Sequence, residues 1–399
     1  MDLNPYTPGP GKVPAVLAGR DRHLAQIDNL AAQFEGGRSE ESIVFTGLRG
    51  MGKTVLVKQI SERLAARGWL SGYFETRRDV GPGAAIEAVV AQGVILLPTA
   101  SRVRKALAKL IKAAASGTEL TVTEPHTGMS VGLRLNLSGG SQDTYRVLLE
   151  FLKTLGEAAL ADGVGVAIVL DELQLMKKAD MAVLLQTTRH PDVADRLPVA
   201  LIAAGLPYLP GEMSKASTYS ERLNWIAVDN LSRLAVIDAV RVPAKEYQVI
   251  WTDTALTKIV ELSKGYPFFV QLYASETWDG AGRPSDRPGT IIDVDAVLDA
   301  VPRVQERLDQ GLYAARYQRA TQKQRAYLRA VASLGDRTVP VGEVAQILGE
   351  KLSALSPQRD QLIKNGLIHS PGYGQIEFSV PGFADYIRRV GALEIDDEL

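Results

Sequence analysis

The chain has 399 residues, of which 46% are hydrophobic and 23% are charged, and its formal net charge is −1. This length predicts roughly two or three domains, and the near-zero charge means that any nucleic-acid-binding surface must be local. The absence of cysteine excludes disulfides, thiolate catalysis and cysteine-based zinc sites. The sequence lacks a secretory h-region and any apolar run near the ~20 residues that span a bilayer, which predicts a cytoplasmic protein without a membrane partner.

Residues 1–13 are rich in Pro and Gly and predict a flexible arm. A helix is predicted over 22–34, a short buried strand over 42–46, a second helix over 55–66 and a second strand over 70–75. The first strand and the second helix enclose an octet that fits the pattern G-x-x-x-x-G-K-[ST]: Gly47, Leu48, Arg49, Gly50, Met51, Gly52, Lys53 and Thr54.

This octet predicts a phosphate-binding loop. Its glycines let several backbone N–H groups point into one concavity, and the helix that continues from Val55 adds the positive end of its dipole. Lys53 would reach the β- and γ-phosphates, and the Thr54 hydroxyl would hold Mg²⁺. A Gly-rich turn that binds nothing is the weaker alternative, because the flanking strand and helix stand where the motif needs them. The sequence therefore predicts nucleoside triphosphate binding.

Residues 98–140 have the character of an insertion. The first half predicts a helix over 102–112 with five cations and no acid. Such a helix can contact nucleic acid or a membrane surface, but a helix packed on the core with a solvated basic face is the favoured interpretation. The second half alternates between apolar and polar residues and predicts a hairpin.

The next segments alternate between helices and strands. Helices are predicted over 145–161 and 181–188, and fully apolar strands over 164–170 and 199–204. Strands that alternate with helices predict a parallel α/β sheet.

The strand over 164–170 leads into Asp171 and Glu172, which is the Walker B arrangement. Asp171 would hold Mg²⁺ through water, and Glu172 would orient or deprotonate the attacking water. A strand that merely ends in a capping Asp-Glu pair is the alternative. It is less favoured because the pair follows Lys53 on a later strand, where a parallel sheet requires it.

Phosphoryl transfer also profits from a cation supplied at the transition state, often by a neighbouring subunit. Arg222 follows the last predicted strand in the order where such a residue can occur. A surface salt bridge with a nearby Glu explains Arg222 equally well, and Arg189 and Arg233 are rival candidates.

After the last of these strands all predicted elements are helical, with segments near 233–242, 253–264, 267–279 and 293–313. A polar stretch rich in Gly, Pro and Arg over 280–289 predicts a loop or linker.

The last part of the chain resembles a winged helix-turn-helix. Three helices are predicted over 321–334, 341–348 and 357–365, and a hairpin follows over 366–380. Residues 315–390 contain eleven Lys or Arg and six Asp or Glu, a net charge of +5. Local basicity on such a fold is typical of DNA binding through phosphate contacts.

If this module docks as other helix-turn-helix modules do, its third helix would present Ser356, Gln358, Arg359 and Lys364 to the major groove. Tyr373 would lie at the wing. The alternative is a protein-binding winged helix, and the acidic end of the chain would repel DNA if it folded back.

Together these motifs resemble AAA+/STAND P-loop ATPases, specifically those similar to archaeal and eukaryotic origin-recognition proteins and to bacterial ATP-binding proteins of that class. The resemblance covers nearly the whole chain. Besides the two Walker motifs it rests on Leu17-Ala18-Gly19-Arg20, Ser220-Glu221-Arg222-Leu223, Asp229-Asn230-Leu231-Ser232 and Gly265-Tyr266-Pro267-Phe268-Phe269.

The resemblance implies an α/β P-loop NTPase core with a parallel sheet, a helical lid and a C-terminal winged helix-turn-helix domain. It implies ATP and Mg²⁺ as cofactors, places Arg20 and Pro267 near the adenine, and gives Arg222 an interprotomer or lid-sensing role. ATP is favoured over GTP mainly by the resemblance, and no Asn-Lys-x-Asp guanine signature is present.

Two departures from the AAA+ pattern stand out. Ala203-Ala204-Gly205 occupies the place of a polar sensor at the end of the fourth strand, and Gly265-Tyr266-Pro267 replaces a G-x-x-R lid sensor and is closer to the G-x-P of STAND proteins. Both departures favour a slow switch over fast, ring-driven hydrolysis.

The predicted organisation is an arm over 1–13, an ATPase core over 14–231, a lid over 232–313, a winged helix over 314–390 and an acidic tail over 391–399. The favoured function is a low-turnover ATPase whose ATP or ADP state controls a winged helix that contacts double-stranded DNA. The alternative is a STAND-type signalling ATPase whose winged helix binds protein and whose output is self-association. A loader that acts on a partner protein is the third hypothesis.

Overall fold

The structure, a computed structural model, describes four stretches of the chain: residues 4–9, 11–114, 141–282 and 284–396. The predicted hairpin of the insertion lies outside the described residues. By their internal contacts the residues form two compact units. The sheet unit consists of Arg20–Gly47 and Lys53–Val228, and the C-terminal unit consists of Met1–Gly19, Leu48–Gly52 and Asp229–Leu399.

The sheet unit is built on a five-stranded parallel sheet with the order β2-β3-β4-β1-β5. Its strands are β1 Ile43–Thr46, β2 Leu70–Glu75, β3 Val166–Asp171, β4 Val199–Gly205 and β5 Asn224–Ala227. Because β4 lies between β1 and β3, the two Walker segments are on strands that are not neighbours. Ligands of such sheets bind outside the carboxyl ends of the strands, where the strand order reverses.

The helices of this unit are α1 Asp21–Glu35, α2 Lys53–Ala66, α3 Pro82–Leu96, α4 Arg102–Ala114, α5 Ser141–Asp162, α6 Lys178–Thr188, α7 Pro191–Ala194 and α8 Leu209–Ala216. Short 3₁₀ segments cover Leu173–Leu175 and Thr218–Arg222. The central strands β3 and β4 are buried on both faces, as is typical of a parallel sheet. Val103 and Leu107 of α4 join the core, so the apolar stripe of the basic helix packs as the favoured interpretation predicts.

The C-terminal unit begins with a four-helix lid made of α9 Arg233–Lys245, α10 Asp253–Ser263, α11 Pro267–Gly280 and α12 Val294–Arg307. The expectation that this part is purely helical is wrong. β6 Ile250–Trp251 and β7 Ile291–Ile292 form a short parallel pair. Each of the two strands consists of two β-branched or aromatic residues, which favour extended backbone. Strands of this length are too short to give a period-two pattern in the sequence.

A π-helical turn over Leu308–Tyr313 and the short helix α13 Ala314–Gln318 connect the lid to the winged helix. The winged helix contains α14 Gln322–Ser333, β8 Val339–Pro340, α15 Val341–Leu348, α16 Leu352–Lys364, β9 Ile368–His369, β10 Gln375–Phe378 and α17 Phe383–Asp396. Its three strands form an antiparallel sheet in the order β8-β10-β9. The expected fold class, a parallel P-loop core with a helical lid and a C-terminal winged helix, is confirmed.

The third helix of the winged helix starts earlier than predicted. α16 begins at Leu352, and Pro357 lies inside it rather than at its start. At the N-terminus, Tyr6 is 3% exposed, and its hydroxyl donates a hydrogen bond to the Val240 carbonyl at 2.7 Å. The described part of the predicted arm is therefore anchored on the lid. None of the helices in the described part of the chain has the length and apolar character needed to cross a bilayer.

Candidate nucleotide-binding site

The predicted phosphate loop connects β1 to α2, and its shape depends on glycine at two positions. A Cβ at Gly47 would lie 2.3 Å from the Val228 carbonyl oxygen, so only glycine allows the loop to leave the sheet there. Gly50 has a φ of 88°, and a Cβ at this position would also lie 2.1 Å from the Tyr266 hydroxyl. The backbone of the octet is thus held in a conformation that other residues would strain.

Lys53 is the first residue of α2 and is 5% exposed. Its ammonium group donates a hydrogen bond to the Gly47 carbonyl at 2.8 Å, which fixes the side chain across the loop. A lysine ammonium folded over a glycine-rich loop can contact the outer phosphates of a nucleotide. Of the remaining loop residues, Met51 and Val55 are buried, whereas Leu48 and Arg49 are half-buried.

Thr54 and Asp171 meet although their strands are not neighbours. The Thr54 hydroxyl donates a hydrogen bond to Asp171 Oδ2 at 2.6 Å, and the Asp171 side chain is fully buried. The backbone N–H of Glu172 donates to Asp171 Oδ1 at 2.8 Å. A hydroxyl and a carboxylate are the hard oxygen donors that Mg²⁺ prefers, with nucleotide phosphates and water completing its shell. These residues therefore fit a nucleotide-bound Mg²⁺ ion.

Tyr73 is a third contributor that the sequence analysis missed. Its hydroxyl donates to Asp171 Oδ2 at 3.2 Å, and the Lys58 ammonium lies 4.9 Å from the centre of its ring. Burial, and next the negative charge of Asp171, raise the pKa of Tyr73, so the hydroxyl stays protonated and remains a donor. The feature that could have identified Tyr73 is its position on β2, the strand beside β3. A single tyrosine in an apolar strand is, however, too common to indicate a site residue.

Glu172 has a left-handed backbone conformation with a φ of 50°. Such a conformation costs free energy in a non-glycine residue and is concentrated at functional sites. The buried Thr76 at the end of β2 holds this turn, because its hydroxyl lies 2.8 Å from the Asp171 carbonyl oxygen and 2.6 Å from that of Glu172. The two acids contact different partners, since the Asp171 carboxylate accepts from Thr54 and the Glu172 carboxylate accepts from Gln174.

Gln174 fixes the Glu172 side chain. Its Nε2 donates to Glu172 Oε2 at 2.5 Å, and its Oε1 accepts a hydrogen bond from the Leu206 backbone N–H at 3.2 Å. Leu206 follows β4, where the sequence offers only Ala203-Ala204-Gly205 instead of a polar side chain. A Cβ at Gly205 would lie 2.8 Å from Gln174 Oε1, so the amide occupies the space that a side chain from β4 would take. Sequence reasoning missed Gln174 because the polar group comes from another segment.

The three candidate arginines differ in exposure. Arg222 is exposed and lies over the Tyr219 ring, with the guanidinium 5.6 Å from the ring centre. Arg189 is 8% exposed, and burial is the largest cause that lowers its pKa. Arg233 donates a hydrogen bond to the Thr257 hydroxyl at 2.9 Å on the lid surface. Only an exposed residue can reach into a neighbouring subunit, which favours Arg222 over Arg189.

The two residues assigned to the adenine lie at helix starts. Arg20 directly precedes α1 and is 5% exposed. Pro267 is the first residue of α11 and is half-buried. Proline suits this position because the first turn of a helix has no acceptor for its missing N–H.

The predicted DNA-contacting residues are unequally placed. Lys364 and Tyr373 are exposed, and Tyr373 projects fully from the wing. Ser356, Gln358 and Arg359 are only half-exposed. The more exposed face of α16 carries Ser353, Pro357, Asp360, Gln361 and Lys364.

Comparison with known proteins supports this assignment of the loop. Residues 16–202 match the family described as the AAA ATPase domain, and residues 310–387 match a domain of unknown function, DUF8462. No curated protein sequence matches the chain significantly.

Several solved structures are similar to the chain along most of its length. A Walker-type ATPase of Pyrococcus abyssi is 12% identical with a TM-score of 0.56, and the match covers 93% of this chain and 96% of that one. The Aeropyrum pernix Orc1 protein, solved in complex with DNA, is 18% identical with a TM-score of 0.47, covering 96% of both chains. Cdc6p from Pyrobaculum aerophilum is 14% identical with a TM-score of 0.42, covering 97% of both. Residues 16–202, somewhat less than half of the chain, therefore match the AAA ATPase domain, in agreement with the resemblance of the motifs.

Proposed function

We propose that the chain binds ATP with Mg²⁺ and hydrolyses it slowly. The observation that carries this proposal is the 2.6 Å hydrogen bond between Thr54 and the fully buried Asp171, which brings both Mg²⁺ ligands together at the carboxyl edge of the sheet. In this function Lys53 neutralises phosphate charge, Thr54 and Asp171 hold the ion, and Glu172 positions the attacking water. The bound Mg²⁺ would supply electrostatic stabilisation of the charge that develops on the phosphates.

Slow turnover is proposed because the ammonium group that should contact phosphate is engaged with the protein itself. The Lys53 ammonium donates to the Gly47 carbonyl, and this interaction must be exchanged for a contact with phosphate before a transition state can form. We also assign Arg222 as the cation offered to a neighbouring copy, since it is exposed.

The nucleotide state would act on the winged helix, and we propose double-stranded DNA as its ligand. The support is the net charge of +5 over residues 315–390 and the exposure of Lys364 and Tyr373. Phosphate contacts make such binding steeply dependent on salt. Lys364→Ala should lower the slope of log K against log salt concentration by about 1, with equal effect on all DNA sequences.

Hydrolysis by the purified chain, with and without duplex DNA, tests both parts of the proposal. Lys53→Ala and Glu172→Gln should each abolish hydrolysis, and duplex DNA should change the rate of the unsubstituted chain. Hydrolysis that survives both substitutions would refute the assigned site. Salt-independent or absent DNA binding in both nucleotide states would refute the DNA-binding part and leave the ATPase intact.

A signalling switch that binds protein and self-associates is the second candidate, and ion pairing within the C-terminal unit favours it. Four arginines of residues 315–390 pair with carboxylates of the same unit, which reduces the positive field that DNA would meet: Arg337 with Glu343, Arg359 with Asp360, Arg388 with Asp385 and Arg389 with Asp309. Molar mass measured in ATP and in ADP without DNA separates the candidates. An ATP-dependent increase supports the switch, and a monomer in both states counts against it.

A further inference from the structure

The buried carboxylate of Asp171 accepts hydrogen bonds from three donors of the sheet unit. Its Oδ2 accepts from the Thr54 hydroxyl at 2.6 Å and from the Tyr73 hydroxyl at 3.2 Å. Its Oδ1 accepts from the Glu172 backbone N–H at 2.8 Å. An ionised carboxylate has about four acceptor positions, two on each oxygen. The two side-chain hydroxyls therefore use both positions on Oδ2, whereas one position remains on Oδ1.

The register of the sheet explains how Tyr73 reaches Asp171. Glu75 of β2 pairs with Asp171 of β3, and Tyr73 precedes Glu75 by two residues. Alternate residues of a strand share a face, so the side chains of Tyr73 and Asp171 lie on the same face of the sheet. A tyrosine is long enough to extend along this face to a diagonal neighbour, which a serine or threonine at the same position is not.

Two contacts hold Tyr73 in this place. The Lys58 ammonium on α2 lies 4.9 Å from the centre of its ring, within the range of a cation–π interaction. The Tyr73 backbone N–H donates to Oε1 of Gln92 on α3 at 3.1 Å. The side chain is half-buried. The Tyr73 hydroxyl is therefore a fixed donor to Asp171 and not a freely moving surface group.

The donors on Oδ2 determine how Asp171 can serve a divalent cation. Direct ligation through this oxygen would need a lone pair, and both are engaged with hydroxyls. A water molecule of the ion's own shell can instead donate to the carboxylate, which keeps Asp171 in the outer shell. Mg²⁺ dehydrates reluctantly and usually keeps several waters, whereas Ca²⁺ takes direct carboxylate ligands in flexible geometry. The hydrogen bonding around Asp171 therefore suits Mg²⁺ better than Ca²⁺.

We propose that Tyr73 is a positioning residue that keeps Asp171 in the outer shell of the nucleotide-bound ion and thereby makes the site selective for Mg²⁺ over Ca²⁺. The proposal rests on the proposed function, since it assumes that Thr54 and Asp171 receive this ion. Thr54 is itself assigned as a ligand, so only the Tyr73 hydroxyl can be removed from Oδ2 without the loss of a ligand. Its removal frees one lone pair of Oδ2, from which Ca²⁺ gains a direct ligand more readily than Mg²⁺ does.

The test measures by calorimetry the affinity of the full chain for a non-hydrolysable ATP analogue without divalent cations, with Mg²⁺ and with Ca²⁺. For each variant the gain in affinity from Mg²⁺ is divided by the gain from Ca²⁺. Tyr73→Phe should lower this ratio by about 3-fold or more and leave the affinity without divalent cations within about 2-fold of the unsubstituted chain. Tyr145→Phe is the matched control and should leave the ratio unchanged, because Tyr145 is a half-buried tyrosine on α5 whose ring contacts His190.

An unchanged ratio in Tyr73→Phe would overturn the proposal. Equal losses of affinity with Mg²⁺ and with Ca²⁺ would also overturn it, because a merely structural tyrosine would act on both ions alike. If Tyr73→Phe does not fold, as judged by its melting temperature, Tyr73→Met also lacks the hydroxyl and takes its place with the same expected fall in the ratio.

The same measurements separate this proposal from the proposed function. Failure of the unsubstituted chain to bind the analogue with Mg²⁺ refutes the proposed function itself. Binding that is lost in Lys53→Ala, with a ratio that is unaffected in the Tyr73 variants, refutes only the role of Tyr73.

Discussion

Gln174→Ala is the most informative single substitution near the reacting groups. The side chain spans two segments, since its amide donates to Glu172 at 2.5 Å and accepts from the Leu206 N–H at 3.2 Å. Glu172 is already held in a left-handed backbone conformation. Gln174 is therefore a positioning residue. Its loss leaves the Glu172 carboxylate chemically unchanged but free to adopt other rotamers.

The size of the effect follows from the two hydrogen bonds. A hydrogen bond to a charged group contributes about 1.5–3 kcal/mol. If Glu172 must regain its position in the transition state, kcat should fall about 10- to 100-fold, since each ~1.4 kcal/mol is tenfold in rate. The Leu206 N–H belongs to a residue that is 2% exposed, and the loss of its acceptor should lower the free energy of unfolding by about 1–3 kcal/mol.

Steady-state hydrolysis, nucleotide affinity and thermal unfolding separate these effects. We expect a lower kcat and a lower melting temperature for Gln174→Ala, with nucleotide affinity within about 3-fold of the unsubstituted chain, because the hydrogen bonds of Gln174 run to Glu172 and Leu206, outside the phosphate loop. Gln186→Ala on the exposed face of α6 is the control. A kcat equal to or above that of the unsubstituted chain would refute the reasoning, because Gln174 would then restrain Glu172 and not position it for catalysis.

Three other substitutions test separate parts of the structure. Thr54→Ala should abolish the gain in nucleotide affinity that Mg²⁺ provides and should lower the rate of hydrolysis by about 100-fold or more. Both quantities are measured with and without Mg²⁺, and an unchanged dependence on Mg²⁺ would exclude Thr54 as a ligand of the ion. Tyr6→Phe should lower the free energy of unfolding by about 1 kcal/mol in denaturant titrations, because the buried Val240 carbonyl loses its donor, while Lys12→Ala should not. Burial lowers the pKa of His369 below its ordinary value of 6.5, so the unfolded chain binds this proton first. The contribution of His369 to stability is therefore complete above that pH and is lost as pH falls below it, and His369→Gln should remove this part of the pH dependence of unfolding.

The phosphate loop and both Walker strands could be predicted from the sequence because each depends on local chemistry. The glycines, Lys53 and Thr54 stand in one octet, and the apolar strand that ends at Asp171 carries its own signal. Elements of two residues, such as β6 and β8, gave no periodic signal. Pro357 indicated a helix start, but α16 begins at Leu352 and continues through it, without the hydrogen bond that an N–H at this position would donate to the Ser353 carbonyl.

Residues that complete the site through tertiary contacts could not be found in this way. Tyr73 and Gln174 are ordinary residues in their own segments, and only the fold brings them to Asp171 and Glu172 respectively. The lack of a polar residue in Ala203-Ala204-Gly205 was one reason to predict slow hydrolysis. That prediction assumed that the polar sensor group must come from β4. The Gln174 amide shows that the position is filled from the turn after β3.

Arg49 connects the phosphate loop to two other parts of the C-terminal unit. Its carbonyl accepts from Tyr266 at the start of the lid helix α11, and its side chain lies against Gly366 in the winged helix. We therefore expect a ligand of the winged helix that moves Gly366 to change the free energy of nucleotide binding, and by reciprocity the nucleotide would change the affinity for that ligand by the same factor. A coupling of about 1.4 kcal/mol would appear as a tenfold change in both affinities. We expect binding of the partner of the winged helix, duplex DNA or protein, to shift the preference of the chain for ATP over ADP. Exposure of Lys364 and Tyr373 shows only where such a partner can bind.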